Sequence, residues 1–130
     1  MVVDTSALIA ILNNEPERAA FLDKIKEADR CFISALSLYE AELVALSRLG
    51  EDGLEQLTQL VDELGLSVVP FDRPQADLCT AAYRRFGKGF GSSAALNLCD
   101  CAAYTLATSL DFPLLFKGQD FAATDVIAAA

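Results

Sequence analysis

Histidine is absent from all 130 residues of this chain, and so is tryptophan. Without an imidazole there is no histidine acid–base pair and no residue to complete a Cys/His zinc site, so any chemistry must rest on carboxylates, metals or hydroxyls. Basic residues are also scarce: ten Lys and Arg face 19 Asp and Glu, for a formal net charge of −9. That balance argues against a general nucleic-acid binder, whose surface is normally basic. It leaves a nuclease open, because bound divalent cations reverse the field locally, and it also suits a basic protein partner. No apolar run reaches the ~18 residues of a membrane-spanning helix, and the start has no basic region of a secretory signal. A soluble, unprocessed, cytoplasmic protein is therefore expected. Cys31, Cys79, Cys99 and Cys101 are scattered among apolar neighbours without a C-x-x-C pair, which reads as buried thiols in a reducing compartment.

What the chain has is apolar bulk. Hydrophobic residues make up 53% of it and mean hydropathy is +0.33, which excludes disorder. A chain of this length forms one domain, here 1–130, that buries roughly two thirds of its unfolded surface. Val2-Val3 reads as a short buried strand, and Ser6 as the cap of a helix to about Leu12 that Asn13-Asn14 breaks. Pro16 suits the first turn of a second helix, to about Ala28. Cys31–Ser34 is a strand, and an apolar helix follows from about Leu36 to Leu49, ending at Gly50. Asp52–Leu64 has helical spacing and stops at Gly65. Leu66–Phe71 is the next strand, Pro74 opens a helix through Phe86, and Gly87–Ser93 is a flexible loop. A helix from about Ala94 to Leu110 leads to the strand Pro113–Phe116, the turn Lys117–Asp120 and a last short strand at Val126–Ala128. Strands alternating with helices predict a three-layer α/β domain with a mainly parallel sheet of about five strands.

The informative carboxylates are those on apolar faces. Asp4 closes the first strand, at the carboxyl edge where open α/β sheets bind ligands. Asp100 continues the packed side of its helix, four residues after Leu96 and three before Ala103. Glu40 and Glu42 both lie on a helix that is apolar almost all round, and periodicity does not choose between them. Asp120 follows a second buried strand as Asp4 follows the first, so the two meet if those strands are neighbours. An unpaired buried carboxylate costs several kcal/mol or is neutralised. Acids converging without Lys or Arg are stable chiefly with a hard cation, and all-oxygen ligation points to Mg²⁺ or Mn²⁺.

The order Asp4, Glu40, Asp100, Asp120 resembles that of the PIN-domain ribonucleases, in particular the VapC-type toxins of toxin–antitoxin pairs. The stretches that carry the likeness are Val2–Leu8, Ile33–Leu43, Tyr83–Gly89, Leu96–Tyr104 and Leu114–Phe121, nearly the whole chain. The resemblance implies a PIN-like fold and a metal-dependent endoribonuclease. Asp4 and Asp100 would be the principal metal ligands, Glu40 the second acid and Asp120 the last. Thr5 and Ser6 would orient water or a ligand carboxylate. Many relatives carry another acid where this chain has Gly118, which leaves Asp120 or Asp125 to complete the site. The resemblance further implies a cognate VapB-like antitoxin, whose C-terminal segment would lie in the active-site groove, and a homodimer.

Phosphodiester hydrolysis needs an activated water, in-line attack and a stabilised 3′-oxygen. Two cations ~3.5–4 Å apart supply all three without histidine, leaving a 5′-phosphate and a 3′-hydroxyl. RNA would approach over a local positive rim, for which Arg84, Arg85, Lys88 and Lys117 are the candidates. Gly87-Lys88-Gly89 is not a phosphate-cradling P-loop, since the G-x-x-x-x-G-K-[S/T] pattern is missing. Two other classes compete. A phosphoacceptor receiver would use Asp72 and Lys117 but leave Glu40 and Asp100 without a role. A non-cleaving PIN-like domain would bind RNA or protein only.

Overall fold

A computed structural model describes residues 1–130. Its elements run β1 (Val2–Val3), α1 (Thr5–Leu12), α2 (Arg18–Glu27), β2 (Phe32–Ser34), α3 (Ala35–Glu63), β3 (Ser67–Val69), α4 (Arg73–Phe86), α5 (Leu98–Leu110) and β4 (Leu114–Leu115). The four strands form one parallel sheet in the order β3-β2-β1-β4. Period-two alternation divides the core. Val3 and Leu115, partners in register, share a core with α1, α2 and α3, while Val2 and Leu114 share one with α4 and α5. Both faces are thus covered, as parallel sheets require.

The strand order fixes the site. From β1 the chain steps outward through β2 to β3, then returns to lay β4 on the other side of β1. The carboxyl end of β1 is therefore a topological switch point, where a crevice opens for ligands. In a receiver β1 lies between β2 and β3; here β3 is at the edge, which removes that alternative.

The expected helices at 36–49 and 52–64 are two arms of α3, bent at Gly50, whose φ of 71° and ψ of −162° break the helical geometry. That backbone is open to glycine and strained for other residues. The last helix starts later than its pattern predicts. Leu98, not Ala94, begins α5, because the preceding residues are spent on a bridge to the end of α4. The Leu96 N–H donates to the Phe86 carbonyl at 2.8 Å, and the Lys88 N–H to the Leu96 carbonyl at 3.0 Å. The strand expected at Val126–Ala128 shrinks to a single bridge beside Leu114, since β4 offers only its first residue to that edge. Here the Leu114 N–H donates to the Ile127 carbonyl at 2.8 Å and the Ala129 N–H to that of Leu114 at 2.9 Å. No helix is long and apolar enough to cross a membrane.

Candidate active site

Asp4 leaves β1 and immediately caps α1. Its Oδ2 accepts from the Ser6 N–H at 3.0 Å and from the Ser6 hydroxyl at 2.6 Å. Ser6 in turn accepts the backbone N–H of Lys117 at 3.0 Å. A relay from the loop after β4, through one hydroxyl, thus fixes the rotamer of the first acid. Thr5 turns the other way: its hydroxyl donates to the Ser37 carbonyl at 2.8 Å and ties α1 to the first turns of α3, below Glu40. Of the two hydroxyls expected beside Asp4, Ser6 touches the carboxylate and Thr5 holds the scaffold.

Asp4 is 4% exposed. Burial pushes its carboxyl up from 3.8 to about 6, the Ser6 hydrogen bonds pull against that, and the charges of Asp100 and Glu40 add to the rise. Asp100 lies in the first turn of α5, in a capping box with Asn97. Its Oδ2 accepts the Asn97 N–H at 3.0 Å, and Asn97 Oδ1 accepts the Asp100 N–H at 2.9 Å. Its carboxyl is also raised, first by burial and then, against the Asn97 hydrogen bond, by Asp120 and Glu40. The capping box and the positive helix end both favour an anion there. Glu40, half-buried on α3, is the acid of that helix whose charge reaches both Asp4 and Asp100.

Asp120 is exposed and acts on Asp100 from the turn after β4. It follows Gly118, whose φ of 101° is again glycine's territory. Asp125 lies elsewhere. It accepts the Tyr104 hydroxyl at 2.5 Å and the Arg85 guanidinium at 3.3 Å, and these contacts hold its carboxyl below the usual range. The structure therefore brings Asp4, Glu40, Asp100 and Asp120 towards one edge, while Asp125 is engaged by Tyr104 and Arg85. The four do not close a finished cage: no three lie close enough together as placed to hold one ion. As placed, Asp4 is bonded to Ser6 and Asp100 to Asn97.

The donor set nonetheless fits a hard divalent cation. None of the ion pairs in the structure involves any of these four acids. A carboxylate that is nearly inaccessible, without a Lys or Arg and with like charges around it, lacks the partner that its ionised form requires.

The expected cationic rim divides. Arg84 and Lys88 are exposed. Arg85 pairs with Asp125 and lies over the Phe86 ring, 4.7 Å from its centroid. Lys117 is held by Glu15 and, at 3.2 Å, by Glu17, and those two acids raise its pKa. Half of the rim is therefore engaged within the chain.

Two features had escaped sequence reading. Cys99 lies beside Glu40, Asp100 and Asp4, and burial, followed by the Glu40 charge, pushes its thiol up to about 12. Its thiol stays protonated beside the acids, and it is marked in sequence only by its place before Asp100. The second is an apolar groove of about 570 Å³ between α3, α4 and α5, lined among others by Leu36, Phe71, Tyr83 and Leu98. Leu36 and Leu98 lie in the first turns of the two helices that carry Glu40 and Asp100, an apolar position at each entry that could have signalled it.

The sequence model of the PIN domain matches residues 1–127. The chain belongs to the PIN-domain family. Within this PIN family its relatives are VapC proteins. It is 43% identical over 126 residues to ribonuclease VapC28 of Mycobacterium tuberculosis, covering 97% of this chain and 95% of the relative. Two solved PIN-fold structures superpose along nearly their full length. VapC20 of Mycobacterium tuberculosis, described as a Sarcin-Ricin loop cleaving toxin, gives a TM-score of 0.76 at 15% identity, with 97% and 95% of the two chains covered. A toxin–antitoxin complex from Klebsiella pneumoniae gives 0.73 at 18% identity, with 99% and 97% covered. At those identities the likeness speaks for the fold.

Proposed function

We propose that this chain is a Mg²⁺- or Mn²⁺-dependent endoribonuclease and the toxin of a VapBC-type pair. The observation that carries the reading is the nearly inaccessible Asp4, without a counter-charge and facing Asp100 and Glu40, at the switch point of a PIN fold. The ribonuclease names of relatives at this identity and coverage support the same substrate class.

Asp4 and Asp100 would hold the metal, with Glu40 and Asp120 completing the acidic edge. Bound there, a divalent cation supplies Lewis acidity, lowering the pKa of a water and neutralising charge on the leaving oxygen. The chain's own residues do the rest. Ser6 presents Asp4, the Asn97 N–H presents Asp100, and the parallel sheet keeps β1 and β4 in fixed register beneath them. Asp120, exposed, closes the edge from the solvent side. Arg84 and Lys88 supply the free positive charge for an approaching phosphate backbone. With no histidine in the chain, hydrolysis by water is favoured over attack by the 2′-hydroxyl, and the products would carry a 5′-phosphate and a 3′-hydroxyl.

A VapB-like antitoxin is the partner that this reading requires, and the fold shared with a solved toxin–antitoxin complex supports it. A basic residue of such a partner would supply the counter-charge that Asp4 lacks. Homodimerisation is part of the same proposal. End-mapping of cleaved RNA tests the reaction. Mn²⁺-dependent 5′-phosphate ends that vanish in Asp4→Asn are expected; equal cleavage in EDTA would overturn the metal-dependent reading.

A further inference from the structure

Asp120 is the least supported of the four acids. It is exposed and lies in a turn without helix or strand, between Gly118 and Thr124. A carboxylate on such a segment keeps its place only if the segment is pinned nearby. The Phe121 side chain provides one pin, buried at 3% exposure and tilted against Phe116 with ring centroids 5.0 Å apart. The second pin lies at Asp125. Its two oxygens accept separately, Oδ1 from the Tyr104 hydroxyl at 2.5 Å and Oδ2 from Arg85 at 3.3 Å. Phe86 packs edge-on against the Tyr104 ring at 5.4 Å, and the Arg85 guanidinium lies over Phe86. Four side chains from α4, α5 and the C-terminal segment thus lock one another.

The placement of Tyr104 gives this lock a direction. Asp100 and Tyr104 are four residues apart on α5, hence on one face and one turn from each other. One turn of α5 carries a site carboxylate, and the next grips the segment that carries Asp120. We propose that Tyr104, Asp125 and Arg85 form a latch whose role is to position Asp120 against Asp100. They are positioning residues and make no contact with RNA. The proposal rests on the nuclease reading for its purpose but not for its geometry. The Tyr104–Asp125 hydrogen bond carries most of the hold, because the Arg85 pair is more than half exposed on both sides and exposed pairs contribute little.

The test combines Tyr104→Phe, which keeps the ring packing and removes only the donor, with Asp125→Asn as a second variant. Amide hydrogen exchange over 119–125 should quicken about tenfold, the scale of one charge-assisted hydrogen bond, while exchange in β1 and α1 stays unchanged. Mn²⁺ affinity, read by calorimetry, should fall about five- to tenfold in Tyr104→Phe, and should fall no further when Tyr104→Phe is added to Asp120→Asn. Unchanged exchange in the turn would overturn the latch. An equal loss of Mn²⁺ affinity in the Asp120→Asn background would overturn its action through Asp120. A wild-type chain that binds Mn²⁺ but does not cut RNA would sink the nuclease reading and leave this cycle decisive. A wild-type chain that binds no Mn²⁺ at millimolar concentration would overturn the positioning role outright.

Discussion

Asp4 and Asp125 are two carboxylates of one short chain with opposite fates. Asp125 lies at the surface and meets a hydroxyl and a guanidinium from its own chain, so its carboxyl is held low. Asp4 is buried with only Ser6 and the Ser6 backbone for support, and its carboxyl is pushed up to about 6. The chain supplies its own counter-charge where a carboxylate serves structure. At Asp4, where the proposed reading places a cation, it supplies none. Exposure alone would have ranked the two the other way, since reactive groups are usually sought at the surface. Counter-charge separates them better than accessibility.

The largest expected effect is on Asp4→Asn. Cleavage should drop by more than the ~100-fold typical of lost outer-shell support, because this change removes a proposed ligand itself. Retained cleavage at comparable rate would erase the distinction between the two carboxylates. The same variant should be more stable without metal. Asn caps a helix about as well as Asp, and the penalty of a buried charge disappears.

The pH dependence gives that gain its sign. With a folded pKa of about 6 against an ordinary 3.8, Asp4 contributes stability that is fully present below pH 3.8 and is lost as pH rises through 6. At ~1.4 kcal/mol for each tenfold in proton affinity the loss is about 3 kcal/mol. Urea unfolding of the metal-free protein from pH 4 to 8 should show it as a gap between wild type and Asp4→Asn that opens with pH. Asp125 should behave inversely. Its contribution is present above the ordinary carboxylate pKa and lost as pH falls through the lower folded value, so Asp125→Asn should flatten the acid limb only. Parallel slopes in the two variants would break the comparison.

Metal binding sharpens it further. Mg²⁺ or Mn²⁺ at ~100 times its Kd should stabilise the wild type by about 2.7 kcal/mol through mass action. Asp125→Asn, with the latch loosened, should retain about half to two thirds of that gain and Asp4→Asn should lose it, as read from melting temperatures at matched metal concentration. The smallest effect is expected at the rim. Arg84→Ala and Lys88→Ala should each lower the salt dependence of RNA binding by roughly one unit in the log–log slope. An unchanged slope would return both residues to the solvated surface.

Much of this architecture was legible in the sequence because it is written in local chemistry. Val2-Val3 before Asp4, Pro74 at the start of α4 and the Gly50 break all announce element ends through backbone constraints that involve only neighbours. What stayed hidden depends on distant partners. Glu40 and Glu42 share a helix that is apolar nearly all round, and only the position of Asp100 across the sheet edge tells them apart. The start of α5 moved because Leu96 pairs with Phe86, a contact that helical periodicity cannot encode. Asp125 looked available for the site because nothing in its own segment reveals Tyr104 or Arg85. Lys117 looked free for RNA until the fold brought Glu15 and Glu17 to it.

Asp4 caps α1 as well as facing the other acids, and the two duties differ in what they demand. Capping needs an oxygen acceptor; holding a cation needs a negative charge. A single-base transition from an Asp codon to an Asn codon keeps the first and discards the second. On the proposed reading, such a mutant lineage would still make a well-folded chain, one that cuts nothing and has lost the charge its partner's basic residue would meet. Inactivation at this position need not produce a broken protein.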